Sequence, residues 1–329
     1  MPVSHGRSAG GVLGIENRSD KRYPRAREDG TVTRVPTGEG DPIEDDSEAT
    51  PAGFRQEFIA RARAVDLLVL GAVPAVLLTV FALPEATRLS LAFAYTDPTA
   101  VTAFTAHYVH LGSGHLAGNL AGYGLLASVG YALAVLGGRR RFFLTSVATF
   151  LLAFPFVLSA LNLAVPRNAV GFGFSGINMA FAGLLPLLLW AYARDRFFPA
   201  SSFRPLPAVF FLLVGWIALL ALPVSTDGSG LAGLGMAATG LITGVAYAWR
   251  TGTWLRQPVR ERTRTVMSRA GYGDLFVIGA VILVGYPVVG FPSDPTGSGS
   301  VVNLYVHLLG FCLAFIGSFI LLVGDVIDE

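Results

Sequence analysis

Polar and apolar residues along this chain fall into long blocks rather than short periods. Residues 1 to 64 are polar, rich in glycine and mixed charge, and run through Glu44-Asp45-Asp46-Ser47-Glu48 without apolar periodicity, so they are expected to be disordered. They also lack the short apolar core that a cleavable signal peptide requires. Eight apolar segments follow: Val65 to Leu83, His110 to Leu136, Phe142 to Leu163, Phe174 to Ala193, Leu206 to Pro223, Gly230 to Trp249, Asp274 to Phe291 and Val301 to Gly324. A crossing helix needs roughly 20 apolar residues to span about 30 Å of hydrocarbon. The pattern therefore predicts an all-α polytopic membrane protein with about eight transmembrane helices over residues 65–324, and a short tail at 325–329. The fifth segment is short. The sixth is so rich in glycine and alanine that it is expected to pack among other helices rather than face lipid.

Composition agrees, with 53% hydrophobic and only 14% charged residues, which excludes an ordinary soluble domain and makes the lipid bilayer the first partner. A net charge of +2, with arginines in clusters, gives no footprint for nucleic acid. The clusters read instead as topology signals. Threading eight helices puts Arg139 to Arg141, then Arg194, Arg196 and Arg204, then the stretch from Arg250 to Arg269, on one side, which the positive-inside rule makes cytoplasmic. Both termini are then cytoplasmic, in a multi-pass protein of the cell membrane. The lone cysteine, Cys312, allows neither an intramolecular disulfide nor a thiolate metal cluster, and no cofactor is indicated.

Polar side chains inside apolar segments carry the chemistry, because each must find a partner there or cost several kcal/mol. His115 and Asn119 are four apart and share one face of the second helix, while Gly114, Gly118 and Gly122 offer bare backbone on an adjoining face. These groups could simply tie helices together. His107, His110 and His115 could also serve a metal or a proton pathway, although no membrane Asp, Glu or Cys completes a shell. In Gly173-Phe174-Ser175-Gly176, glycines flank a serine at a loop-to-helix junction, where backbone N–H groups stay free to stabilise an oxyanion. Outside the second helix and the polar head, the one histidine able to act as its base is His307, followed by the small residues Gly310 and Ala314. In the eight-helix threading the second, fourth and eighth helices run inward, so His110, Ser175 and His307 each lie near an outer helix start.

Taken together, His110, His115 and Asn119, spaced H-x4-H-x3-N, with Gly173, Ser175 and Gly176 as GxSG and His307 and Gly310 as HxxG, resemble the rhomboid family of intramembrane serine proteases. The resemblance covers most of residues 65 to 324. It implies a rhomboid-like helical bundle and a serine endopeptidase that cuts transmembrane segments of other membrane proteins. Ser175 would be the nucleophile and His307 the base, without a carboxylate. His115 and Asn119, with the Ser175 N–H, would bind the oxyanion, and His110 would brace the external side.

Three departures from the family pattern accompany it. Three apolar segments separate the serine and histidine helices where the family commonly has one, so a helix pair is expected to be inserted within 206–291. Gly240-x-x-x-Gly244 offers a rival histidine helix with Ala237 in the histidine position, which would break the dyad. The position four after the serine, often aromatic, is Met179, and Ala314 stands where a glycine commonly ends the histidine motif. These departures leave open a catalytically inactive relative that binds membrane-protein clients. Residues Pro84 to Thr96, with apolar Leu89 to Phe93, are expected to lie at the membrane interface beside the site.

Overall fold

Helices occupy all eight apolar segments, in a computed structural model that describes residues 53–199, 202–221, 228–251, 259–294 and 302–324. In order they are α1 (Phe54–Arg61), α2 (Ala64–Phe81), α3 (Glu85–Ser90), α4 (Ala100–Thr105), α5 (Ser113–Leu136), α6 (Arg140–Leu152), α7 (Phe154–Asn162), α8 (Ser175–Arg196), α9 (Leu206–Ala221), α10 (Gly228–Thr251), α11 (Val259–Met267), α12 (Tyr272–Gly290) and α13 (Leu304–Val323). Strands β1 (Phe93–Ala94) and β2 (Val170–Gly171) pair antiparallel, with Phe93 opposite Gly171. Among the described residues five helices, α2, α5, α8, α12 and α13, are long and apolar enough to cross a membrane. The pair α6 and α7, bent by 48°, makes a sixth if it is one span. The bend falls where Pro155 enters the first turn of α7, since proline withholds an N–H from the preceding turn. The chain is thus a multi-pass membrane protein of helical class.

At the centre runs α8, with 94% of its apolar window buried, surrounded by α5, α6, α7, α9, α12 and α13. Its closest neighbour is α13. A Cβ on Gly310 would overlap the carbonyl oxygen of Gly176, and one on Gly183 would overlap that of Phe311, so glycines on both helices let the two backbones touch. By contrast α2 is only 17% buried. Polar ties hold it: Asp66, 1% exposed, accepts from Arg140 Nε at 2.6 Å and from the Tyr131 hydroxyl at 2.7 Å, and the Tyr123 hydroxyl donates to the Leu70 carbonyl at 2.8 Å.

The glycine-rich sixth segment departs from its expected place. Gly233, Ala237, Gly240 and Gly244 form the buried stripe of α10 and meet α9, where a Cβ on Gly240 would stand 2.8 Å from the Phe211 carbonyl oxygen. Leu231, Leu241, Ile242, Val245 and Trp249 point outward. The buried small residues lie on one stripe, so one partner helix satisfies them and the larger residues are left for lipid. Hence α9 and α10 make a hairpin at the edge of the bundle.

Two further boundaries differ from the sequence reading. Of the head expected to be disordered up to residue 64, residues 1–52 lie outside the described residues, as does the tail at 325–329, but Phe54–Arg61 form α1. That helix is ordered by its charges: Glu57 pairs with Arg61 at 2.9 Å and with Arg196, and accepts from the Tyr272 hydroxyl. The second apolar segment begins its helix at Ser113, not His110. The chain at His110 to Gly112 is non-helical, with Arg88 of α3 donating to the His110 carbonyl at 2.7 Å, and Gly112 is the N-cap.

Candidate active site

Ser175 is the first residue of α8, and the loop before it is fixed from two directions. The β1–β2 pairing ties Val170 and Gly171 to the segment after α3, and the Gly173 N–H donates to the Ala106 carbonyl at 2.9 Å. Gly173 has φ +114°, a left-handed conformation that favours glycine, and any Cβ there would stand 2.6 Å from Cε1 of His115. The imidazole of His115 therefore lies directly over the loop that delivers the serine. As first-turn residues, Ser175 and Gly176 have N–H groups with no acceptor inside the helix, the raw material of an oxyanion hole. Both Ser175 and His115 are partly exposed.

His307 lies one turn before Gly310 on α13. Val306, its neighbour, packs on Gly176, the residue after Ser175, so His307 reaches the level of the serine across the closest helix contact in the fold. The start of α13 is capped by Asn303, whose side chain accepts from the Val306 N–H at 3.2 Å and donates to Asn162 at 3.2 Å. His307 is 5% exposed. Its Nδ1 meets the carbonyl oxygen of Gly290, at the C-terminus of α12, at 2.6 Å, and the Phe291 ring stands edge-on to the imidazole with centroids 5.9 Å apart. A carbonyl can only accept, so Nδ1 carries the proton in this bond and Nε2 keeps its lone pair. No hydrogen bond joins His307 to the Ser175 hydroxyl. Met179 fills the space beside Gly290, beneath this contact.

The remaining predicted residues form a buried network. His110, fully buried, receives the Asn119 amide on Nε2 at 2.9 Å and faces the Phe174 N–H at 3.4 Å, so it bridges α5 to the N-terminus of α8. Asn119 also donates to the His115 carbonyl at 3.2 Å. The sequence reading aims His115 and Asn119 at one external point. In the structure they part: His115 covers Gly173, whereas Asn119 turns inward because His110, standing before the helix, offers it an acceptor. Asn178 of α8 was missed by sequence reasoning. It is 1% exposed and donates to both the backbone carbonyl and Oδ1 of Asn119, at 3.0 and 3.1 Å. Its position, one helical turn after the serine in an apolar run, was the available signal.

His107 stands apart and bonds Ser159 at 3.1 Å. Among the described residues no group of three or more His, Cys, Asp or Glu side chains is placed to hold a metal ion. Ala237, of the rival motif, packs against Gly215 of α9. Comparison of the chain with protein-family models, with curated proteins and with solved structures returns no match.

Proposed function

We propose that this chain is an intramembrane serine endopeptidase of the rhomboid type, acting on transmembrane segments of other membrane proteins near their external ends. The observation that carries the reading is the seating of α13 on α8 through Gly176 and Gly310, which brings His307 level with Ser175 while Gly290 holds the far ring nitrogen. In this reading Ser175 attacks the scissile carbonyl, His307 Nε2 takes the hydroxyl proton and returns it to the leaving amine, and water then hydrolyses the acyl-enzyme. The N–H groups of Ser175 and Gly176, with His115, surround the developing oxyanion. Asn119 joins them by giving up its 3.2 Å bond to the His115 carbonyl. His110 braces the loop from its external side.

The inserted pair is α9 and α10, at the edge of the bundle, which leaves α12 as the single helix between serine and histidine helices at the core. Counting these two with the six longer spans gives eight crossings. The ends of α5 and α8 and the start of α12 meet at one end of the bundle, where Arg196 donates to the Leu136 carbonyl and pairs with Glu57. This basic end would be cytoplasmic, with the serine at the opposite, external end.

A second reading, an inactive relative that binds membrane-protein clients, is favoured by the missing Ser175–His307 hydrogen bond and by the inward turn of Asn119. Catalytic hydrogen bonds often tighten only when substrate is bound, so the apo geometry does not decide between the two. A fluorophosphonate probe does. The purified protein in detergent should label, and Ser175→Ala should abolish labelling; labelling that persists in Ser175→Ala removes the assignment, and a wild-type protein that never labels favours the client-binding reading.

A further inference from the structure

The amide of Asn119 has two ends, a donor and an acceptor, and only the donor end can serve an oxyanion. Two groups fix its direction: the His115 backbone carbonyl, which can only accept, and one residue on the serine helix. Asn178 lies 3.0 Å from the backbone carbonyl oxygen of Asn119, which can only accept, so the Asn178 NH2 must face α5. That same NH2 is 3.1 Å from the Asn119 side chain, which must therefore present its oxygen there and turn its own NH2 to the other side, toward His110 Nε2 and the His115 carbonyl. His110 in turn must accept at Nε2 and carry its proton on Nδ1. One buried side chain thus reinforces the orientation of two others, which the His115 carbonyl and the Phe174 N–H, 3.4 Å from His110 Nε2, also favour.

We propose that Asn178 is a positioning residue, acting through Asn119: it helps hold the donor end of that amide on His110 Nε2 and the His115 carbonyl, and with it the tautomer of His110. The proposal deepens the protease reading and rests on it for its kinetic consequence. Reversing the Asn119 amide would put its oxygen against the His115 carbonyl oxygen and, were it at the site, against the oxyanion. The arrangement also accounts for a buried asparagine in an apolar helix, where an interhelical tie alone would need only one of its hydrogen bonds. Its Oδ1 has no hydrogen-bond partner, as a residue selected for its donor side would allow. Gly122 leaves room for the Tyr286 hydroxyl and for Asn178, since a Cβ there would lie 2.5 Å from the first and 3.2 Å from Asn178 Nδ2.

Asn178→Leu removes the donor at similar volume, and Asn178→Asp replaces it with acceptor oxygens that draw the Asn119 NH2 inward. In detergent with a cleavable transmembrane substrate, Asn178→Leu should lower kcat by about ten-fold with KM unchanged. In an Asn119→Ala background it should have no further effect. Nitrogen NMR of the imidazoles gives a readout independent of turnover: His110 should be the Nδ1–H tautomer in the wild type, should lose part of that population in Asn178→Leu and should lose more of it in Asn178→Asp, against the opposing pull of the Phe174 N–H. An unchanged tautomer in both variants overturns the proposal, as does a loss of kcat of equal size in the presence and absence of Asn119. A wild-type protein that fails to turn over would instead sink the protease reading, and the tautomer measurement would still decide the role of Asn178.

Discussion

The Nδ1 of His307 and the carbonyl oxygen of Gly290 are 2.6 Å apart, so the imidazole on the last helix is held by the end of the helix before it. The terminal carbonyls of a helix have no partner of their own, and here a side-chain N–H supplies one. The same bond leaves Nε2 as the basic nitrogen, a role that serine hydrolases with a triad give to a carboxylate.

His307→Ala should therefore have two separable effects. Loss of the base should cut turnover about 10²- to 10⁴-fold. Loss of the Nδ1–H leaves a buried carbonyl unpaired, at a cost of about 1–3 kcal/mol, read as a lower Tm. Turnover within a few-fold of wild type would mean that His307 holds α12 and does nothing else.

Gly310 and Gly317 lie on the same helix but meet different surroundings. A Cβ on Gly310 would overlap the Gly176 carbonyl oxygen, and one on Gly317 would meet nothing within 4 Å. Gly310→Ala should part α13 from α8, costing about 1–3 kcal/mol by overpacking and drawing His307 away from Ser175. Gly317→Ala should leave Tm and turnover unchanged. Equal behaviour of the two variants in a thermal melt and a cleavage assay would contradict the close helix contact.

Glu57 gives a pH dependence at the other end of the bundle. Burial alone would raise its carboxyl above the ordinary value of 4.5, but hydrogen bonds from Arg196 and Tyr272 and the charges of Arg196 and Arg61 outweigh it and hold the group below that value. A depressed folded value means that the stabilisation is fully present above the unfolded value and is lost as pH falls through the folded one. Wild-type Tm should fall as pH drops from about 5 to about 2, while Glu57→Gln should start lower at neutral pH and lose less over that interval. Parallel curves for the two proteins would show that the carboxylate contributes nothing.

Most of the membrane body was legible because apolar length is a strong signal: all eight segments became helices, displaced by a few residues at their ends. Ser175 at a helix start and His307 one turn before Gly310 followed from spacing. Other features depend on tertiary neighbours that periodicity does not encode. Nothing in Gly240-x-x-x-Gly244 says whether its partner is α8 or α9. The pairing of Phe93 with Gly171 joins two loops too short to register as strands. His110 lies outside the helix, which starts after the Gly112 cap while Arg88 holds the His110 carbonyl, and that shift by less than one turn redirected Asn119 inward. Asn178 was missed for a different reason: its place in an apolar run marks it, but what a single amide does there shows only beside the residue it meets.

The helix that bears the serine touches almost no lipid. A change in bilayer thickness or fluidity acts first on the exposed apolar faces of α2, α10, α12 and α13, and reaches α8 only as pressure passed from helix to helix. The end that bears Ser175 is thereby buffered against the composition of its host membrane. The weakest link in that insulation is α2, joined to its neighbours by a narrow face of Leu70, Val73 and Leu77 and a few polar ties, so mechanical coupling between membrane and site should enter through it.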